Sequence, residues 1–158
     1  MIKYLNGDLF EHVNNVSGLL IPHVVNNIKK WGAGFVVPLG RRFPCVRTRF
    51  LESNDVALGS VDYIVSEGNV IANMYAQNGI RNKYNPQPLC YNALLNCMID
   101  IRRYINDINA SSSNEHDIII DRILAPKFGA GLSGGDFTII EQMVNNVWYD
   151  IDVTIFEF

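Results

Sequence analysis

Long apolar runs, strong net charge and paired cysteines are all absent from this 158-residue sequence, and each absence excludes a class of protein. No stretch approaches the roughly 20 uncharged residues that span a bilayer, and the first residues lack the apolar core of an export signal. The three cysteines, Cys45, Cys90 and Cys97, lack CxxC spacing, which argues against a disulfide framework or a zinc site. No other metal-ligand spacing occurs. We therefore expect a reduced, cytoplasmic protein without metal or cofactor.

Charge is weak overall but unevenly distributed. Hydrophobic residues make up 48% and charged residues 18%, which is typical of one globular domain, here residues 1–158. The net charge of −3 argues against a generally nucleic-acid-binding surface. Six basic and no acidic residues lie between His12 and Leu51, whereas five acidic and no basic residues follow Lys127. This asymmetry indicates either oppositely charged solvated faces or a positive rim near an anionic ligand.

Strand-like and helix-like segments alternate along the chain. Strands are predicted at 2–5, 18–25, 60–66, 70–76, 117–124 and 152–158, and helices at 35–43, 88–108 and 136–148. The run 18–25 is almost entirely apolar, which is typical of a strand covered on both faces. The polar stretch 109–115 is predicted to be a surface connection. We expect an α/β fold with a mixed, mostly parallel central sheet sandwiched between helices.

Two glycine-rich loops, Asn26–Gly34 and Pro126–Gly135, each follow a predicted strand and precede a predicted helix. In open α/β sheets, ligands bind beyond the carboxyl ends of the strands, and glycines let backbone N–H groups approach phosphate oxygens. Neither loop matches GxGxxG or GxxxxGK[ST], which argues against hydride transfer and nucleotide hydrolysis. The loops are therefore interpreted as a diphosphate site or as simple turns.

The motifs around these loops resemble those of the macro domain family, in the family's order. They are Gly7-Asp8-Leu9-Phe10, a His-x-x-Asn pair formed by His23 and Asn26, Trp31-Gly32-Ala33-Gly34, Phe43-Pro44, and the loop from Pro126 to Gly135. The specific likeness is to the subgroup that dephosphorylates ADP-ribose-1″-phosphate. It spans residues 2–158, is specific at the first loop and is weaker between 45 and 115. The resemblance implies a monomeric macro domain that binds ADP-ribose or ADP-ribose-1″-phosphate and no membrane.

The resemblance also implies a place on the ligand for each matched residue. Asp8 would accept a hydrogen bond from the adenine amino group, and Asn26 would bind the distal ribose. One phosphate would lie on the first glycine loop and the other on the second. Trp31 would line the cleft or would be an ordinary core residue. The ligand-binding residues are thus Asp8, Leu9, Asn26, Trp31, Gly32, Ala33, Gly34, Gly129, Ala130, Gly131 and Leu132.

Three residues are candidates for catalysis, each with a structural alternative. His23 would be an acid or base near a terminal phosphate, or a buried core histidine. Asn73 interrupts an apolar strand and could point into the cleft, and Asp136 would activate water or cap a helix.

A related branch of the family removes ADP-ribose from glutamate with a strand lysine and a loop aspartate. Here the corresponding strand has Asn73 and Met74, and Ser133 follows the second Gly-x-Gly-Leu stretch, so that mechanism is disfavoured. We expect a phosphatase that converts ADP-ribose-1″-phosphate to ADP-ribose. A binding module without turnover, and a hydrolase that removes ADP-ribose from protein or nucleic acid, remain alternatives. The many asparagines would also suit a bacteriophage protein acting in host cytoplasm.

Overall fold

A six-stranded sheet with the order β1-β6-β5-β2-β4-β3 forms the centre of the molecule. The computed structural model describes residues 2–54, 56–111 and 118–157. The strands are β1 Ile2–Asn6, β2 Leu19–Asn26, β3 Val61–Ser66, β4 Asn69–Gln77, β5 Arg122–Pro126 and β6 Val153–Glu157. The helices are α1 Val36–Arg42, α2 Pro44–Glu52, α3 Tyr91–Ala110 and α4 Phe137–Val147. Only the β3–β4 pair is antiparallel, so the predicted mixed, mostly parallel sheet is confirmed.

Alternate residues of the central strands pack into separate cores on the two faces of the sheet. In β2, Leu20 belongs to the core that α3 and α4 cover, whereas Leu19 and Ile21 belong to the core that contains α1 residue Leu39. This two-sided burial explains why β2 and β4 are continuous apolar runs. Among the described residues, no helix is long and apolar enough to cross a membrane.

Most element boundaries differ from the sequence predictions by one residue, and the larger differences occur at three elements. The helix predicted at 35–43 ends at Arg42, and Pro44 begins a second helix, α2, that was not predicted. Helix α3 begins at Tyr91 instead of residue 88, because Leu89 bridges to Gln77 in an extended conformation. Strand β5 begins at Arg122, its first partner on β2 being Leu19. Of the predicted connection 109–115 and strand 117–124, residues 112–117 lie outside the described part.

Candidate functional site

A cavity of about 670 Å³ lies at the carboxyl ends of β5, β2 and β4. These three strands are neighbours in the sheet, and the loops that follow them form the cavity walls. This is the position at which open α/β sheets bind ligands. Eight of the residues predicted from the sequence line it: His23, Asn26, Gly32, Ala33, Gly34, Gly129, Gly131 and Leu132.

Both glycine loops present backbone N–H groups that have no acceptor within the described part of the chain. Gly34 has a φ of +83° and Gly129 a φ of +78°, which are left-handed conformations that glycine adopts without strain. At Gly32 and Gly131, a Cβ atom would meet nothing within 4 Å, so the space above the backbone is open. The unpaired N–H groups belong to Gly32, Ala33 and Gly34 in the first loop and to Gly131, Leu132 and Ser133 in the second.

The second loop contacts both the first loop and the end of β4. A Cβ atom at Gly34 would lie 3.6 Å from Cδ1 of Leu132, so the two loops approach each other at this point. The Ser133 hydroxyl donates a 2.6 Å hydrogen bond to Oε1 of Gln77, and both side chains are largely buried. The backbone oxygen of Ser133 also accepts from the Leu89 N–H at 3.0 Å. These contacts fix the loop that carries half of the free amides.

His23 and Asn73 form a buried pair on the adjacent strands β2 and β4. The two residues are direct partners in the parallel register, and His23 Nε2 lies 2.5 Å from Asn73 Oδ1. Because an amide oxygen can only accept, Nε2 carries the proton in this hydrogen bond. His23 is 2% exposed and Asn73 is 0% exposed. His23 Nδ1 and Asn73 Nδ2 have no hydrogen-bond partner among the described residues.

Burial keeps His23 neutral at physiological pH. Desolvation lowers the pKa of the imidazole from 6.5 to about 4, although the hydrogen bond to Asn73 acts in the opposite direction. The imidazole contacts the rings of Trp31 and Phe35, with centroid distances of 6.0 and 5.9 Å. His23 is therefore an uncharged residue of the cavity lining, and its buried Nδ1 has a lone pair without a hydrogen-bond partner among the described residues.

Asn26 uses its side chain to fold the first loop. Its Oδ1 accepts from the N–H groups of Ile28 and Lys30 at 3.2 and 3.0 Å, and its Nδ2 donates to the Lys30 oxygen at 2.8 Å. Nδ2 has a second hydrogen, and the residue lines the cavity. Its predicted contact with a ribose stays a prediction.

Trp31 packs mainly against the protein. Its ring lies 5.4 Å from that of Phe50, and a Cβ atom at Gly40 would lie 3.0 Å from the indole Nε1. Trp31 is not among the residues that line the cavity within the described ranges. Of the two interpretations of Trp31 that the sequence left open, its contacts agree with an ordinary core residue.

Asp8 and Leu9 lie beyond the cavity lining, at the end of the edge strand β1. Asp8 is exposed and caps a short 3-10 turn, Leu9–His12, by accepting from the Phe10 N–H at 2.9 Å. Leu9 is fully buried. Phe10 stacks on Phe35 at 5.4 Å, and Phe35 lines the cavity, so this turn borders the site. Adenine recognition by Asp8 stays a prediction.

Asp136 is the N-cap of α4. Its Oδ1 accepts from the N–H and the hydroxyl of Thr138 at 2.9 and 2.6 Å, and these bonds hold its pKa below the usual range. Neither Asp136 nor Ala130 is among the described residues that line the cavity. The structure therefore gives Asp136 a structural role, and its catalytic role stays a prediction.

Several lining residues were not identified from the sequence. They include the cations Lys30, Arg81 and Lys127, whereas no acidic residue of the described part lines the cavity. Lys30 belongs to the basic segment, in which Arg42 and Arg49 form ion pairs with Glu67 and Asp62. Uneven charge was thus a usable signal for Lys30. Gln77, at the end of β4, and Arg81, in the polar loop that follows, carried none, because neither belongs to a recognisable motif.

No family model matches the chain. Over its whole length it is 26% identical to an uncharacterized 17.5 kDa protein encoded in the tk-vs intergenic region of Enterobacteria phage T4, of which the match covers 97%. That relative carries no described activity. The bacteriophage origin expected from composition stays a prediction.

Solved structures identify the fold. The chain is 25% identical to a macrodomain protein from Streptomyces coelicolor, with a TM-score of 0.75 and coverage of 100% of this chain and 99% of that one. The macrodomain of Mycobacterium tuberculosis DarG matches with 22% identity, a TM-score of 0.74 and coverage of 100% and 98%. Thermosipho africanus DarTG, solved in complex with ADP-ribose, matches at 15% identity and a TM-score of 0.68 over 98% of this chain and 41% of that one. The protein has the macro domain fold.

Proposed function

We propose that the cavity binds ADP-ribose, with the diphosphate held between the two glycine loops. The observation that carries this proposal is the set of unpaired backbone N–H groups on both loops, at a cavity between them. Amides fixed by the fold are good partners for phosphate oxygens, because they need no rearrangement to bind. The volume of about 670 Å³ lies within the roughly 300–1,000 Å³ range of small-molecule sites.

The charges at the cavity favour an anionic ligand. Three cations line it, and no carboxylate of the described chain does. Lys127 is partly neutralised by Glu157 at 2.6 Å, which leaves Lys30 and Arg81 to attract the ligand. The solved DarTG complex supports ADP-ribose as the particular ligand, because part of that protein matches this fold and the complex contains ADP-ribose.

A charge-insertion experiment tests the proposal. Ala33→Glu places a carboxylate on the exposed first loop, where it would repel the diphosphate, and should weaken ADP-ribose binding about tenfold or more, or about 1.4 kcal/mol. Asn106→Glu makes the same charge change on the exposed surface near the end of α3, and Asn106 is not among the described residues that line the cavity. Calorimetric titration of both variants measures the difference. Equal loss of affinity in both, or no ADP-ribose binding by the unmodified protein, would contradict the proposal.

His23 favours a catalytic step at the distal end of this ligand, namely hydrolysis of ADP-ribose-1″-phosphate. Water would attack phosphorus and give its proton to Nδ1 of His23, while the bond between phosphorus and the 1″ oxygen breaks. ADP-ribose would leave with that oxygen and take up a proton from solvent. The hydrogen bond of Nε2–H to Asn73 orients the imidazole for this role. Asn73 would thus act as a positioning residue.

Phosphate release from ADP-ribose-1″-phosphate tests this step. His23→Ala should reduce the rate by about 100-fold or more, which is the usual contribution of a general base, while ADP-ribose binding persists. Asn73→Leu should reduce the rate less than His23→Ala does, because the base remains but is no longer oriented. Full activity in His23→Ala would exclude the mechanism. ADP-ribose binding without phosphate release by the unmodified protein would identify a binding module.

A further inference from the structure

Two cations at the cavity have no anionic partner. Lys30, on the loop after β2, and Arg81, on the loop after β4, both line the cavity and form no ion pair with any described residue. The third lining cation, Lys127, forms an ion pair with Glu157. It follows β5, which adjoins β2 on the side opposite to β4. The unpaired positive charge is therefore concentrated on the β4 side of the cavity.

Asn27 connects the two loops that carry these cations through hydrogen bonds. The Asn27 N–H donates to the Gln77 oxygen at 3.1 Å, and its side-chain Nδ2 donates to Asn78 Oδ1 at 3.0 Å. The Gly79 N–H donates to Asn27 Oδ1 at 2.9 Å. Lys30 is three residues from this contact and Arg81 is two residues from it. The fold thus sets the position of both backbones, and only side-chain freedom remains to be lost on binding.

The loop that carries Arg81 is itself internally bonded. Asn85 Nδ2 donates to the backbone oxygens of Asn78 and Ile80 at 2.9 and 3.1 Å, and Asn82 and Asn85 are paired through two backbone hydrogen bonds of 3.1 Å. Beyond this pairing, Lys83 and the 88% exposed Tyr84 form the tip and do not line the cavity. Arg81 is therefore held at the cavity while Lys83, on the same loop, points elsewhere.

We propose that Lys30 and Arg81 form a third anion subsite, which binds a phosphate monoester on the distal ribose of ADP-ribose. The inference rests on the proposed function, in which the glycine loops after β2 and β5 hold the diphosphate. In the predicted orientation, with adenine at Asp8 near β1, the distal ribose would lie toward β4, on the side of the cavity that Lys30 and Arg81 line. A guanidinium forms paired hydrogen bonds to phosphate oxygens and an ammonium adds a point charge, so together they match a dianionic monoester. His23 lies on β2, which pairs with β4, and would lie beside the phosphate monoester bound by these two cations.

Paired ligands test this subsite. The unmodified protein should bind ADP-ribose-1″-phosphate about tenfold more tightly than ADP-ribose, because only the former has the terminal phosphate. Arg81→Gln and Lys30→Gln should each reduce that preference about fivefold, because each variant loses more affinity for the phosphorylated ligand than for ADP-ribose. If the phosphorylated ligand is hydrolysed, KM from initial rates is compared with the KM of the unmodified protein instead. Lys83→Gln is the matched control and should leave the affinity for both ligands unchanged.

Inorganic phosphate provides an independent arm. At millimolar concentration, inorganic phosphate should reduce the affinity of the unmodified protein for ADP-ribose-1″-phosphate more than its affinity for ADP-ribose. This competition should be weaker in Arg81→Gln. Equal affinity for the two ligands, an equal loss for both in Arg81→Gln, or the same effect from Lys83→Gln would overturn the subsite. If neither ligand binds, the proposed function fails; if ADP-ribose binds but shows no phosphate preference, only the subsite fails.

Discussion

Lowering the pH from 7 to 5 should destabilise the fold through His23. The folded-state pKa of about 4 lies below the ordinary value of 6.5, so between these values the unfolded chain binds a proton that the folded protein does not. Unfolding is therefore favoured as the pH falls through this range, and the destabilisation disappears above about pH 6.5. For these two pKa values, linkage gives a loss of about 2 kcal/mol at pH 5.

Urea unfolding at pH 7 and pH 5 measures this effect, with His23→Gln as the matched variant. Glutamine can still pair with Asn73 but does not titrate, so the difference between the two pH values should shrink by about 2 kcal/mol in the variant. The carboxylates are the same in both proteins, so their titration cancels when the two pH dependences are compared. An identical pH dependence in both proteins, or a His23 pKa near 6.5 measured by NMR, would show that His23 does not destabilise the fold at pH 5.

Two further substitutions test the structural roles assigned around the site. Asp136→Ala should lower the melting temperature because α4 loses its cap, whereas Asp136→Asn should retain both the cap and phosphate release; loss of activity in a stable Asp136→Asn protein would make the carboxylate catalytic. Gly135→Ala should cost about 1–3 kcal/mol in urea unfolding, because its Cβ would lie 2.4 Å from Leu89 Cδ2 and 2.5 Å from the Gly129 oxygen. Gly32→Ala, with open space at the same position, is the control, and equal stability of the two variants would contradict this packing.

The sheet and the two glycine loops could be predicted from the sequence because their signals are local. The apolar run of β2 reflects burial on both faces, and the glycines mark a backbone that turns in left-handed conformations at Gly34 and Gly129. Helix α2 was missed because Phe43 ends one helix and Pro44 starts the next without a connecting loop. A proline in the first turn of a helix and a proline that ends one look alike in sequence.

The chemistry of the cavity was less accessible, because it depends on residues far apart in the chain. His23 and Asn73 are separated by 50 positions, and only the parallel register of β2 and β4 makes them partners. The hydrogen bonds of Asn27 similarly connect two loops about 50 residues apart in the chain. For Asp136, by contrast, the local sequence indicated a helix cap as one alternative, and the observed contacts are those of an N-cap.

Backbone amide NMR during an ADP-ribose titration can show whether both glycine loops bind one ligand. We expect large chemical-shift changes at Gly32, Ala33 and Gly34 and, at the same ligand concentration, at Gly131, Leu132 and Ser133, with Asn106 unaffected. Saturating changes in both loops together would show one ligand bound between them. No change in either loop, or changes confined to one of them, would contradict a diphosphate held by both.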